Sequence, residues 1–192
     1  MKRIFLIMLV ICAIVTLAAC VRTSEEYIET QEPTVVSEVK HLFFPSESFE
    51  ALAHRSAEVV RAEVLDERVE WTSLSGTFYT VYTLHRVRVL EVFQGIRQVG
   101  DILDVAQEGG EIDGELWLNS DLISMSPGEE LLLFVSRFDD QPLGMPMNPW
   151  EGAFRFVDGV WQQANPFPNP DREFTITPEE LEALAEYNYN KK

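Results

Sequence analysis

Cysteine is scarce in this sequence, and its placement excludes several kinds of site. The 192 residues include only two cysteines, Cys12 inside the leading apolar run and Cys20 at its end. The rest of the chain therefore has no thiol to form a disulfide, a thiolate metal site or a cysteine nucleophile. Stability has to come from burial, for which 46% hydrophobic residues are ample material.

Basic residues and histidines are also few. The chain has 15 Lys and Arg against 32 Asp and Glu, a formal charge of −17. Such a surface repels phosphates, so we expect no nucleic-acid partner and a domain that stands clear of anionic lipid headgroups. The three histidines, His41, His54 and His85, have no histidine or cysteine partner at i+3 or i+4, so no zinc site is expected.

Familiar catalytic motifs are missing as well. The chain contains no G-x-S-x-G elbow, no Walker loop and no dinucleotide fingerprint. We therefore assign no catalytic residue, no metal and no cofactor. Glu108, Glu111, Asp113 and Glu115 crowd a glycine-rich loop, which lacks EF-hand spacing and is expected to be a solvated acidic loop. A pair of these carboxylates acting as a hydrolase on cell-wall polymer remains an alternative.

The first residues have the layout of an export signal. Lys2 and Arg3 precede an apolar run, Ile4 to Ala19, which is interrupted only by Thr16. Sixteen helical residues span about 24 Å at roughly 1.5 Å per residue, which is short of the roughly 20 residues needed to cross a bilayer. A secretory signal peptide fits this run better than a retained transmembrane anchor.

The end of the run, Leu17-Ala18-Ala19-Cys20, resembles the lipobox of bacterial lipoproteins. The resemblance implies that a peptidase cuts between Ala19 and Cys20 and that the Cys20 thiol carries diacylglycerol, with palmitate-like chains in the cell membrane. The protein would then face away from the cytoplasm. An ordinary signal peptide with a cysteine near its cleavage site is the other interpretation.

We expect three parts in the chain: a signal peptide over 1–19, an acidic tether over 20–44 and one β-rich domain over 45–192. The tether has five glutamates and little apolar periodicity, and like charges keep such a segment extended.

Within the domain, the patterns predict a short helix at Ser48–Arg55 and then mostly strands. A helix is also predicted from a capping box at Thr177 to about Tyr187. The long segment Thr77 to Phe93 exceeds ordinary strand length and its apolar face switches parity, which predicts a bulge or bend near His85-Arg86.

Five predicted strands favour a small antiparallel OB-like barrel. They are Val59–Leu65, the long bent strand, Ile102–Gln107, Leu131–Ser136 and the Phe154–Trp161 hairpin with its Asp158-Gly159 turn. The stretch Val87 to Val135 also resembles domains of exported bacterial proteins with the OB-type fold of netrin-like and metalloproteinase-inhibitor modules.

Four residues are candidates for a binding surface. His85 lies at the predicted bend, and Trp71, Trp117 and Trp150 lie beside turns, where tryptophan is rich in contact energy. The sequence therefore favours a lipid-anchored, non-catalytic module that binds a protein or a cell-wall partner outside the cytoplasm. A protease inhibitor is a further alternative. It is disfavoured because the resemblance implies a free amino-terminal cysteine and bracing disulfides, whereas here Cys20 is expected to carry lipid.

Overall fold

Strands dominate the fold, as the sequence predicts. The computed structural model describes residues 34–39, 45–46, 48–74, 76, 79–119, 122–137, 143–165, 171 and 173–190. All of them fall within one unit of the chain, Pro33–Lys192. The leader lies outside the described residues, and so do Ala19 and Cys20. Within the described part, no helix is both long enough and apolar enough to cross a membrane.

The described elements are these. The strands are β1 (Thr34–Val39), β2 (Glu58–Thr72), β3 (Thr80–Gln94), β4 (Ile102–Glu108), β5 (Gly110–Ile112), β6 (Glu115–Asn119), β7 (Glu130–Arg137), β8 (Leu143–Pro146), β9 (Ala153–Val157), β10 (Val160–Gln163) and β11 (Thr175–Ile176). The helices are α1 (Phe49–Arg55) and α2 (Pro178–Tyr189).

The larger sheet closes on itself. Its strand order is β11-β10-β9-β7-β2-β3-β4-β8, and β8 also pairs with β7, so that β2, β3, β4, β8 and β7 form a ring. The pairing of β4 with β8 is parallel, whereas the other four pairings of the ring are antiparallel. Closure needs Gly144 in β8, because a Cβ there would lie 2.2 Å from Cγ1 of Val135. A closed ring leaves these strands without a free edge.

The fifth strand of the ring is β8 and not the predicted hairpin at Phe154–Trp161. β9 and β10 form the predicted hairpin, with Asp158 and Gly159 both at positive φ in its turn. The hairpin lies outside the ring, however, because β9 pairs with β7 only at Leu132 and Leu133. β8 pairs with the next residues along the same edge of β7, from Val135 to Arg137, and closes the ring. With four residues and no alternation, β8 gives no periodic signal in the sequence.

The predicted bend near His85-Arg86 corresponds to an irregularity in the neighbouring strand. The pairing of β2 with β3 passes from Val64 opposite Val87 to Asp66 opposite Arg86, which leaves Leu65 as an extra residue in β2. The bulge at this point is therefore on β2, whereas β3 has extra residues farther along, at Leu90 and Phe93. Thr77 and Phe78, the predicted start of the long strand, lie outside the described residues.

Two large apolar clusters hold the sheet together. One joins side chains of β2, β3, β4 and β7 to Ile123 and Met125 of the loop that precedes β7. The other packs α1 and α2 against the opposite face of β7, at Leu132 and Phe134. Residues 131–135 are buried on both faces, as their continuous apolar run predicts.

Both helices begin where the sequence predicts. The Ser48 side chain accepts a hydrogen bond from the Ala51 amide and caps α1. Thr177 and Glu180 form the reciprocal capping box of α2, which ends at Tyr189. The buried face of α1 consists of the predicted Phe49, Leu52 and Ala53.

The segment predicted as a tether includes a strand. β1, at Thr34–Val39, pairs in parallel with β6, and with β5 they form a second sheet in the order β1-β6-β5. Residues 34–39 of the segment predicted as a tether over 20–44 therefore belong to a sheet. Three valines and a threonine give this stretch a β-branched composition that suits a strand, which the surrounding glutamates obscure.

Candidate functional site

A groove of about 540 Å³ opens on the face of β2, β3 and β4 that carries His85. Loop residues 122–127 form its other side. The residues that bear on its chemistry are Glu67, Val69, Thr83, His85, Gln107 and Glu111. Alternate residues of a strand share one face, and in the register of the sheet His85 stands between Glu67 of β2 and Val105 of β4.

His85 forms the floor of the groove and is held in one tautomer. His85 is only 3% exposed. The Ile123 amide donates to Oε1 of Gln107 at 2.7 Å, and Nε2 of Gln107 donates to the Ile123 carbonyl at 2.9 Å, so the orientation of the Gln107 amide is fixed. That Nε2 lies 3.0 Å from Nε2 of His85. Because Gln107 is the donor there, His85 accepts at Nε2 and carries its proton on Nδ1.

The Nδ1–H group of His85 has no hydrogen-bond partner among the described residues, although it is buried. The nearest carboxylate oxygen is Oε2 of Glu67, at 3.6 Å, and the Glu67 side chain is 55% exposed. Burial lowers the pKa of His85, and the charge of Glu67 offsets part of that effect. His85 is therefore neutral at neutral pH and presents an unpaired donor beneath the groove.

Replacing His85 by glutamine is expected to flatten the pH dependence of stability. A histidine whose folded pKa is lowered binds protons more readily when unfolded. The contribution of His85 to the free energy of unfolding is therefore fully present above the ordinary histidine pKa of about 6.5. It is lost as the pH falls from there toward the lowered pKa, by at most about 1.4 kcal/mol per pH unit.

Urea unfolding midpoints at about pH 7 and about pH 5.5 measure this slope. We expect His85→Gln to have a smaller midpoint difference than the wild type. His54→Gln, which removes an exposed imidazole from α1, is the matched control and is expected to keep the wild-type difference. An unchanged slope in His85→Gln would contradict the buried neutral assignment.

Two of the predicted tryptophans, Trp71 and Trp117, are in contact with each other. The rings of Trp71 and Trp117 pack edge to face, with centroids 4.9 Å apart and planes at 77°. Trp71 follows Glu67 and Val69 on the same face of β2, and Trp117 stands opposite Gly110, which lines the groove. Trp71 is 49% exposed, whereas Nε1 of Trp117 is buried with no hydrogen-bond partner in the described part of the chain.

Gly110 allows this arrangement. A Cβ at that position would lie 2.7 Å from Cγ1 of Val69 and 2.8 Å from Oγ1 of Thr83, and its φ is +141°. The chain can therefore pass close over β2 and β3 only with glycine there. This close approach places the hairpin of β5 and β6, and with it Trp117, against Trp71.

Trp150 lies elsewhere. It belongs to the turn after β8, where its amide donates to Oδ1 of Asn148 at 2.9 Å. Next to it, the fully buried Glu151 accepts hydrogen bonds from the Ser46 amide at 2.9 and 3.0 Å and from Nδ2 of Asn148 at 2.7 Å. These bonds fix the segment that precedes α1, so this buried carboxylate has a structural role.

The structure thus brings Trp71 and Trp117 together, places His85 opposite Glu67, four residues from Trp71 along β2, and leaves Trp150 apart. Sequence reasoning missed Gln107 and Glu67. An isolated glutamine gives no signal in the sequence. The alternation of Glu67, Val69 and Trp71, however, places these three side chains on one face of a strand and could have indicated Glu67.

The acidic loop contributes one carboxylate to the groove, that of Glu111. Asp113 lies in the turn between β5 and β6 at a φ of 53°, and Glu115 is exposed at the start of β6. Among the described residues, no three His, Cys, Asp or Glu side chains are grouped closely enough to hold a metal ion. The arrangement suits recognition of a ligand by hydrogen bonds, charge and aromatic contact.

Comparison of the chain with protein-family profiles and with curated protein sequences found no match. The functional interpretation therefore depends on the chain's own sequence and on the geometry of the groove.

Proposed function

We propose that this chain is a bacterial lipoprotein that binds a ligand in the groove described above. In this proposal the leader is cut before Cys20, the Cys20 thiol is acylated, and the domain is held by lipid on the outer side of the cell membrane. The lipobox-like residues 17–20 and the preceding charged and apolar segments support this location.

One observation carries the binding function: Nδ1–H of His85, which is buried in the floor of the groove, lacks a partner among the described residues. Nε1–H of Trp117, which packs on Trp71 farther along, lacks one as well. A buried donor without a partner costs about 1–3 kcal/mol, and folded proteins contain few of them. A ligand with an acceptor group would complete the unpaired donor of His85, and the half-exposed Trp71 adds aromatic surface four residues beyond Glu67 along β2.

We also propose that the closed sheet is OB-like. Five ring strands, with antiparallel pairings except between β4 and β8, support this assignment. OB-type barrels commonly bind ligands on one sheet face and the adjoining loops. The groove occupies such a position, between β2, β3 and β4 and loop residues 122–127.

The other two interpretations have less support. The hydrolase alternative requires a pair of carboxylates within the acidic loop, and of Glu108, Glu111, Asp113 and Glu115 only Glu111 lines the groove. The inhibitor needs a free amino-terminal cysteine. No feature of the described residues favours either of them.

Photo-cross-linking in intact cells tests the binding function. A benzophenone amino acid replaces Ser124, an exposed residue of the groove, or Tyr189, an exposed residue of α2 that serves as the control. We expect a defined cross-linked product from position 124 that disappears when Trp71→Ala is added, and no such product from position 189. The same product from both positions, or a product that is insensitive to Trp71→Ala, would contradict the proposal.

A further inference from the structure

The charged residues that line the groove are of one sign, and the nearby Arg155, which donates to the Ser124 carbonyl, is paired with Glu129. Glu67 and Glu111 line the groove, and none of the described residues that line it is lysine or arginine. Glu67 is 55% exposed at its side chain and carries its carboxylate beside the groove floor. The surrounding field adds to this bias, because the whole chain has a formal charge of −17. A ligand of positive charge is therefore attracted, and an anionic ligand is repelled.

The neutral state of His85 keeps this charge bias intact. Its imidazole is buried beneath Glu67, and the hydrogen bond from Gln107 to its Nε2 favours the neutral tautomer. A protonated histidine at that place would neutralise the carboxylate from below. With His85 neutral, Glu67 retains its full charge for a ligand above it.

The walls of the groove suit the aliphatic part of a basic side chain. Val69 and Leu122 are half-buried and line opposite sides, one on β2 and the other in the loop. Lysine and arginine place their methylene stems along apolar surface while the charged end reaches carboxylates or water. At the end of this face, the half-exposed Trp71 offers an aromatic face, to which ammonium and guanidinium groups are attracted.

We infer that the groove binds a basic segment of a partner protein, whose lysine or arginine side chains pair with Glu67 and Glu111 and whose backbone carbonyls offer the acceptor that Nδ1–H of His85 lacks. This inference rests on the proposed binding function and specifies its ligand. The volume of about 540 Å³ is sufficient for a short extended peptide with one or two long side chains, since ligand sites are commonly of this size.

A peptide titration of the full-length acylated protein in detergent tests the inference. The probe is acetyl-Gly-Lys-Leu-Lys-Gly-amide, and its matched control carries Nε-acetyl-lysine at both lysine positions. The readout is the ¹H–¹⁵N resonance of each tryptophan indole. We expect the resonances of Trp71 and Trp117 to shift with the lysine peptide and not with the acetylated one. Trp161, which is buried in the other cluster, serves as the internal reference.

Charge variants provide the second arm. Glu67→Gln and Glu111→Gln are each expected to weaken binding of the lysine peptide about three- to fivefold, the effect of one partly exposed ion pair. Glu186→Gln removes the same charge from the exposed surface of α2 and is expected to leave the affinity unchanged. Added salt is expected to weaken binding of the lysine peptide.

Equal binding of the acetylated peptide, or unchanged affinity in both groove variants, would overturn the inference. Its failure is distinguishable from failure of the proposed function. If neither peptide binds while the cross-link from position 124 persists and still requires Trp71, the basic ligand is wrong and the binding site stands. If that cross-link is also absent, the proposed function falls with it.

Discussion

Replacing Cys20 by alanine is expected to abolish lipid attachment and to leave the protein either as unprocessed precursor or free in the medium. The thiol of Cys20 is the only side chain at the end of the leader that can form a thioether. Each buried methylene of an acyl chain contributes about 0.8 kcal/mol, so two chains hold a protein on a membrane almost permanently. Without them, the strongly acidic domain has little affinity for anionic headgroups.

Labelled palmitate in growing cells, followed by fractionation, measures the effect. We expect wild-type protein to incorporate label and to sediment with membranes. Cys20→Ala is expected to incorporate none and to accumulate as unprocessed precursor or in the medium. Cys12→Ala, which changes the other cysteine inside the apolar run, is the matched control and is expected to behave as the wild type. Label in the Cys20→Ala protein would show that the assignment of the lipid site is wrong.

Replacing Phe134 by alanine is expected to cost about 3–5 kcal/mol of the free energy of unfolding. The Phe134 side chain is fully buried, and its ring packs edge to face against Phe49 of α1 and Phe154 of β9, at 6.2 and 5.4 Å. The substitution leaves a cavity where the helices meet the closed sheet. With no cysteine after Cys20, there is no disulfide to offset the loss.

Urea unfolding of the wild type and two variants checks this prediction. Phe156→Ala is the control, because Phe156 is a phenylalanine of the neighbouring strand β9 that is 54% exposed. It is expected to cost no more than about 1 kcal/mol, the loss of its contact with Trp161. If Phe134→Ala costs as little as the control, Phe134 does not join the helices to the sheet in the way described.

The predictions that the structure confirms depend on local signals. Thr177, Pro178 and Glu180 specify the start of α2 within a few residues, because a capping box is formed by neighbouring backbone and side chains. Asp158-Gly159 likewise specifies its hairpin turn, since only a few residues tolerate two successive positive φ angles. The continuous apolar run at 131–135 predicts a strand covered on both faces without any knowledge of its neighbours.

Pairings between distant segments could not be predicted in this way. The parallel pairing of β4 with β8 depends on the close approach of Gly144 to Val135, which is a property of the closed ring and not of the four-residue strand. The contact of Trp71 with Trp117 depends on the crossing at Gly110. His85 could be singled out from the sequence because it lies at a predicted bend. The amide of Gln107, which fixes the tautomer of His85, could not, because that contact joins residues distant in sequence.

The proposed binding function and the proposed location together predict that the face that carries Trp71 is covered by a ligand at the cell surface. Hydroxyl-radical labelling of intact cells and of the purified acylated protein, read by mass spectrometry, measures this without any variant. Trp71 is 49% exposed and Tyr189 is 81% exposed, so both react in the purified protein. The proposal predicts that Trp71 is protected in cells while Tyr189 remains reactive. Equal labelling of Trp71 in the two samples would contradict it.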